Sequence, residues 1–171
     1  MTGTHDFDAF YRDTARRLAR YAYGLTGDPA ETQDLVQEAY ARAWQRWRRL
    51  SAYENPEAWL RMVVNRLASD RWRRLGVRRA RAVLDPPPPP APPPSENTVL
   101  LVTAMRALPP AHRRALALHY LLDRSVAEIA AETGVATGTV KSWLSRGRAG
   151  LAAALDPADA ALTVEGSTDA R

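Results

Sequence analysis

The sequence has no cysteine, a single lysine (Lys141) and only three histidines. Without cysteine there can be no disulfide, thiolate metal ligand or thiol nucleophile, which fits a reducing compartment. His5, His112 and His119 are scattered, and no carboxylate–histidine set accompanies them. A zinc site wants clustered His, Cys or carboxylate ligands. Nothing here argues for an enzyme, and no metal or cofactor is expected. No apolar run approaches the ~18–20 residues needed to span a bilayer, so no membrane insertion is expected. Asp6 and Asp8 stand where a signal peptide would carry positive charge. Valine and isoleucine are sparse and no strand-like alternation persists. The expectation is a cytoplasmic, all-α protein.

What the chain does have is arginine. Of its 24 cationic side chains 23 are Arg, and the 171 residues carry net +5. It also has proline in one place: Asp85 to Pro94 reads DPPPPPAPPP and holds eight of the thirteen prolines. Proline fixes φ and lacks an N–H donor, so this stretch is neither helix nor sheet. As polyproline II it would rise ~3.1 Å per residue and extend ~30 Å. The expected organisation is two small helical domains, residues 1–79 and 98–155, joined by a proline-rich linker at 80–97. A small-residue tail, 156–171, follows them.

In the first domain one helix is expected from about Asp6 to Leu25, ended by Thr26-Gly27. Asp28, Pro29 and Glu31 supply an N-cap, an N1 proline and a capping-box acid for a second helix. Its buried stripe reads Leu35, Val36, Ala39, Tyr40, Ala43, Trp44 and Trp47. Glu31, Asp34, Gln37, Glu38 and Gln45 make the opposite face acidic, either a solvated surface or a docking site on an otherwise basic protein. Asn55-Pro56 opens a third helix with Leu60, Val63, Val64, Leu67 and the stem of Arg71 inward. Arg61, Asn65, Ser69, Trp72 and Arg73 lie opposite, flanked by Arg66, Arg74, Arg78, Arg79 and Arg81. Eight Arg and one acid fall between 61 and 81, a density that repels itself unless a polyanion compensates it. With Trp72 able to stack on bases and Asn65 and Ser69 able to hydrogen-bond to them, nucleic-acid contact is expected.

In the second domain a helix over about 99–108 leads through Pro109-Pro110 to another ending near Leu122. Ser125 to Glu128 is a capping box for a short helix with Ile129 and Ala130 inward. Gly134 suits a left-handed turn, and Val140, Leu144, Gly147 and Leu151 line one side of the last helix. This is the packing of a helix-turn-helix. Away from it lie Gly138, Ser142, Ser145 and Ala149, flanked by Thr139, Lys141, Arg146 and Arg148. Short polar side chains with cations around them suit a major groove. Gly138, Gly147 and Gly150 should each weaken the helix by up to ~1 kcal/mol if interior.

These residues resemble a known family. Asp34-Leu-Val-Gln-Glu38, followed by Ala43-Trp44, resembles the docking helix of bacterial RNA polymerase sigma factors. Asn65-Arg-Leu-Ala-Ser-Asp70-Arg-Trp-Arg-Arg74 resembles their −10 segment. Ala107-Leu-Pro-Pro-Ala-His-Arg-Arg114, Ser125-Val-Ala-Glu-Ile-Ala and Gly134-Val-Ala-Thr-Gly-Thr-Val-Lys-Ser142 resemble region 4. The match covers about residues 7–74 and 99–155, and with only regions 2 and 4 the chain is similar to the extracytoplasmic-function (ECF) group. Leu25-Thr-Gly-Asp28 resembles its actinobacterial SigE-like branch.

The resemblance implies a region 2 three-helix bundle and a region 4 helix-turn-helix. It implies that Asp34, Gln37 and Glu38 bind the β′ coiled coil of core RNA polymerase, with the second domain on the β flap. Arg61, Asn65, Arg66, Ser69, Trp72, Arg73 and Arg74, with the 47–56 loop, would capture bases of the melted −10 element. Thr137, Thr139, Lys141, Ser142, Ser145, Arg146 and Arg148 would read the −35 element of promoter DNA. An anti-sigma factor is a further partner the resemblance admits. Ala136 departs from the family's usual Ser N-cap, and Trp143 from its usual Arg. The alternative reading is a stand-alone helix-turn-helix regulator with an N-terminal sensor or partner domain.

Overall fold

A computed structural model of the chain describes residues 2–81 and 96–155, with side chains described for 6–74 and 100–155. Every regular element among them is a helix. Two compact units, Met1–Pro92 and Pro93–Arg171, divide within the proline run. The expected linker conformation (82–95) and the tail lie outside the described residues. Residues 80–81 and 96–97, assigned above to the linker, are helical.

The first unit holds α1 (Thr2–Thr26), α2 (Pro29–Gln45), α3 (Trp47–Leu50) and α4 (Pro56–Arg81). The long helices α1, α2 and α4 pack on one another. Their core is Leu18, Tyr21, Ala22 and Leu25 of α1, Leu35, Ala39, Tyr40 and Ala43 of α2, and Leu60, Val63, Val64 and Ala68 of α4. The turn between α1 and α2 needs Gly27, at φ 66°. The Asp28 carboxylate then accepts the Glu31 N–H at 2.8 Å and caps α2. Buried hydroxyls find each other: Thr26 and Thr32 Oγ1 at 2.8 Å, and Thr14 Oγ1 and the Tyr40 phenol at 2.7 Å. Burial pushes Tyr40 up to about 12, and the Thr14 bond partly opposes this.

Two expectations fail at the end of α2. The helix breaks at Arg46, so Trp47 belongs to α3, a single turn in what reads as loop. Trp44, expected in the core, is 48% exposed. It packs edge-on against Phe7 at a centroid distance of 5.0 Å, and Phe7 also meets Trp47 at 5.2 Å. An aromatic lid over the α1–α2 end takes the place of a buried stripe.

The second unit holds α5 (Glu96–Ala107), α6 (Pro110–Leu116), α7 (Val126–Thr133) and α8 (Thr137–Ala154). The helix expected to reach Leu122 leaves α-geometry, and Ala117–Leu121 continues α6 as a π turn. Arg113 is buried and donates from Nη2 to the carbonyls of Arg106 (3.1 Å) and Leu108 (2.9 Å). It thus meets the negative, C-terminal end of α5 with charge.

The glycines of α8 differ in kind. A Cβ on Gly147 would sit 2.9 Å from Leu116 Cδ1, and one on Gly150 would sit 2.6 Å from Leu108 Cδ2. Both mark places where α8 lies hard against its neighbours. At Gly138 nothing lies within 4 Å of such a Cβ. Gly138→Ala is therefore expected to raise the stability of the second unit by up to about 1 kcal/mol. At Gly147 the overpacking cost of about 1–3 kcal/mol outweighs that gain, so Gly147→Ala should lower it. Thermal unfolding of the two variants checks the contrast, and equal stabilisation by both would contradict it.

Candidate functional site

The face of α2 expected to dock a partner is exposed at Asp34, Gln37 and Glu38. It borders a groove of about 670 Å³ between α2 and α4, lined by Asp34, Gln37, Glu38, Arg42, Asp70, Arg71 and Arg74 together with Leu35, Ala41 and Leu67. Arg71 Nη2 lies 3.1 Å from Asp34 Oδ2 and crosses from α4 to α2. Arg42 Nε lies 2.7 Å from Glu38 Oε1, one turn along α2. Helical period places the stem of Arg71 in the core, but its side chain is half-exposed and its guanidinium serves the groove.

On the other side of α4, Asn65, Ser69 and Trp72 are half-buried, and Arg66 and Arg73 are exposed. Ser69 donates its hydroxyl to the Asn65 carbonyl at 2.8 Å, and Arg73 ion-pairs with Asp70. Arg74 is exposed too, but it turns to the groove. The side chains of Arg78, Arg79 and Arg81 lie outside the described residues.

Arg61 requires a correction. Helical period groups it with the nucleic-acid face, yet it is 0% exposed. Its Nη1 lies 3.2 Å from Glu57 Oε1, and Arg17 of α1 grips the same carboxylate at 3.0 and 3.1 Å. A guanidinium in that position ties α1 to the start of α4 and cannot reach a phosphate. The i, i+4 spacing to Asn65 and Ser69 puts Arg61 on their face by period alone. It does not show that α1 covers this end of the face.

Sequence reasoning named the 47–56 stretch but missed its partners. Arg46, Arg49, Leu50, Tyr53 and Trp59 line a concavity of about 390 Å³ at the α3–α4 corner. Cations beside aromatic rings form a surface suited to unstacked bases. The interleaving of Arg with Trp and Tyr over 46–59 was the signal available for it.

In the second unit α7, its turn and α8 form the helix-turn-helix. Ser125 Oγ accepts the Glu128 N–H at 3.2 Å, and the Glu128 carboxylate accepts the Ser125 N–H at 2.8 Å, closing the capping box. Gly134 takes φ 72°. Ala136 occupies the N-cap of α8 without a side-chain hydrogen bond, and Thr137 is the first helical residue. Val140, Leu144 and Gly147 are buried. Thr137, Thr139, Lys141, Ser145, Arg146 and Arg148 are exposed, and Ser142 is half-buried. At 100° per residue, Lys141 and Arg148 fall on one flank of the small Gly138–Ser142–Ser145–Ala149 strip, and Arg146 on the other. Cations on both flanks of a narrow strip match the two phosphate walls of a major groove. Arg148 Nη1 also reaches the phenol of Tyr120, on the π turn, at 3.5 Å.

Among the described residues no group of three or more His, Cys, Asp or Glu is placed to hold a metal ion, and no helix is long and apolar enough to cross a membrane.

The structure thus combines a helical unit carrying an ion-paired groove with a second unit built on a helix-turn-helix. Family models agree: residues 10–78 match Sigma-70 region 2, and residues 98–151 match Sigma-70, region 4. The chain is 32% identical over 156 residues to the RNA polymerase sigma-E factor of Streptomyces antibioticus, covering 90% of this chain and 87% of that protein. It is 35% identical over 143 residues to the ECF RNA polymerase sigma factor SigL of Mycobacterium tuberculosis, covering 80% and 81%. The solved sigma factor RpoE of Bartonella quintana, in complex with the anti-sigma factor NepR, superposes with a TM-score of 0.73 at 26% identity, covering 89% of this chain and 98% of that one. CnrH, solved with the cytosolic domain of CnrY, shares the fold (TM-score 0.62, 22% identity, 90% and 89% covered). The chain belongs to the ECF group of RNA polymerase sigma-70 factors, the subunits that bind core polymerase and direct it to promoters.

The capping box makes one part of the helix-turn-helix acid-sensitive. The Ser125 backbone N–H, then the Arg124 guanidinium, pull Glu128 from 4.5 down to about 2. The folded value lies below the unfolded one, so the carboxylate supports folding above pH 4.5 and that support fades as pH falls toward 2. Glu128→Gln should therefore flatten the acid limb of the melting temperature, followed by circular dichroism, across that window. An acid limb as steep as that of the unaltered chain would contradict the assignment.

Proposed function

We propose a division of labour among the exposed faces of this sigma factor. Asp34, Gln37 and Glu38 dock the β′ coiled coil of core polymerase, and the second unit rests on the β flap. Asn65, Arg66, Ser69, Trp72 and Arg73, continued by the Arg46–Trp59 concavity, take up −10 bases as they leave the duplex. Holding them out offsets an unstacking cost of a few kcal/mol per base. Thr137, Thr139, Lys141, Ser142, Ser145, Arg146 and Arg148 read the −35 element as duplex. Arg61 has no part in this, because it is buried.

The observation that carries the reading is the two-sidedness of α4. Its Asp70–Arg71–Arg74 side closes the groove with α2, and Asn65, Ser69 and Trp72 are not among the groove's lining residues. Polymerase and melted DNA can then occupy the first unit together. The work is positioning and strand capture with no covalent step, carried out in the cytoplasm where the polymerase is. The RpoE structure contains the anti-sigma factor NepR, which supports a regulatory protein as a further partner of this chain.

Asp34→Arg is expected to abolish binding to core polymerase and core-dependent transcription while leaving the helical content unchanged. The exposed pair it breaks is worth only about 0–1 kcal/mol. Core binding retained by that variant would remove the docking assignment. In the second unit, Lys141→Ala and Arg146→Ala should each weaken holoenzyme binding to the promoter and lower its salt slope by about 1. A slope that does not change would show that neither side chain meets phosphate. Duplex binding by the chain alone, as tight as with core, would favour the stand-alone regulator.

A further inference from the structure

The α2–α4 groove is not the acidic surface that the sequence of α2 alone suggests. Its lining carries three carboxylates, Asp34, Glu38 and Asp70, and three guanidiniums, Arg42, Arg71 and Arg74. Asp34, Glu38 and Arg42 come from α2, and Asp70, Arg71 and Arg74 from α4. Asp34 and Glu38 form a row one turn apart along α2, and Arg71 and Arg74 form a parallel row along α4. Asp70 is turned to Arg73. Glu38 is held by Arg42 of its own helix, so the two rows are only partly satisfied by each other. Arg71 holds Asp34 at 3.1 Å, while no carboxylate among the described residues pairs with Arg74.

We propose that this groove selects a polymerase helix carrying both signs, with a basic side chain over Asp34 and Glu38 and a carboxylate over Arg71 and Arg74. On docking, Arg71 exchanges Asp34 for the partner's carboxylate, and Asp34 takes the partner's cation, so no charge is left uncompensated as water leaves the groove. A uniformly basic helix would meet Arg71 and Arg74 as like charges and is discriminated against. Arg74 thus becomes a polymerase-contacting residue in place of a DNA-contacting one. The proposal rests on the docking role given to Asp34, Gln37 and Glu38 above and supplies the other half of their partner's chemistry.

The test is equilibrium binding of the labelled full-length chain to purified core RNA polymerase without promoter DNA, so that DNA contacts do not enter. Arg74→Gln should weaken binding by about threefold and the Arg71→Glu/Arg74→Glu double variant by about tenfold or more, as expected for charges at an interface. Arg12→Glu/Arg16→Glu on α1 makes the same change in net charge outside the groove and should shift affinity by less than about twofold. Unchanged or tighter binding by the Arg71/Arg74 variants would overturn the proposal and leave Arg71 a mere shield for Asp34. Arg74→Gln adds no repulsion on an exposed side chain, so it decides the matter should the double reversal unfold. If Asp34→Arg itself leaves core affinity intact, the docking reading has failed. Loss with Asp34→Arg but not with Arg74→Gln would sink only the two-signed groove.

Discussion

Twenty-three guanidiniums in 171 residues repel one another, and most of this architecture can be understood by asking where each is sent. A few are neutralised internally. Arg17 and Arg61 share Glu57 between α1 and α4, Arg71 reaches Asp34 across α2 and α4, and Arg113 satisfies carbonyls at the end of α5. These tie helices together. Arg66, Arg146 and the Arg46–Arg49 corner stay exposed, next to half-buried or small polar side chains and aromatic rings. The paired cations shape the fold, and the others are left at the surface.

The same economy governs the second unit. Its last helix can present a narrow polar strip only if its back lies close to α5 and α6. Gly147 and Gly150 permit that approach, because a side chain at either position would collide with Leu116 or Leu108. Glycine in a helix interior costs about 1 kcal/mol relative to alanine, and here the cost secures the angle from which Lys141, Arg146 and Arg148 project. The capping box of α7 and the left-handed Gly134 set the entry to α8 in the same way, through backbone bonds and not through a large core.

Much of this was legible in the residues. Asp28-Pro29, Asn55-Pro56 and the Ser125–Glu128 box are local devices whose geometry depends on nothing distant, so the starts of α2, α4 and α7 could be read directly. The helix-turn-helix was legible because Ile129, Gly134 and Val140 are constrained by one tight corner. Tertiary information was not. Arg61 and Arg71 swap the roles that helical period assigns them, since only the placement of α1 and α2 decides which flank of α4 is covered. The break at Arg46 and the π turn at Ala117–Leu121 lack a Gly or Pro to announce them. The α2–α4 groove is built from two helices some thirty residues apart in sequence, so its mixed charge could not be seen from the α2 stretch that seemed to define it.

The central claim is that two cationic helical units act with core polymerase to open promoters that neither partner finds alone. The measurement that tests it most directly is run-off transcription from fragmented genomic DNA with purified core polymerase, with and without the purified chain. Discrete transcripts that start at shared upstream sequence pairs, and that depend on both components, are the predicted result. A chain that retains duplex DNA by itself and never yields a defined transcript with core would contradict the account.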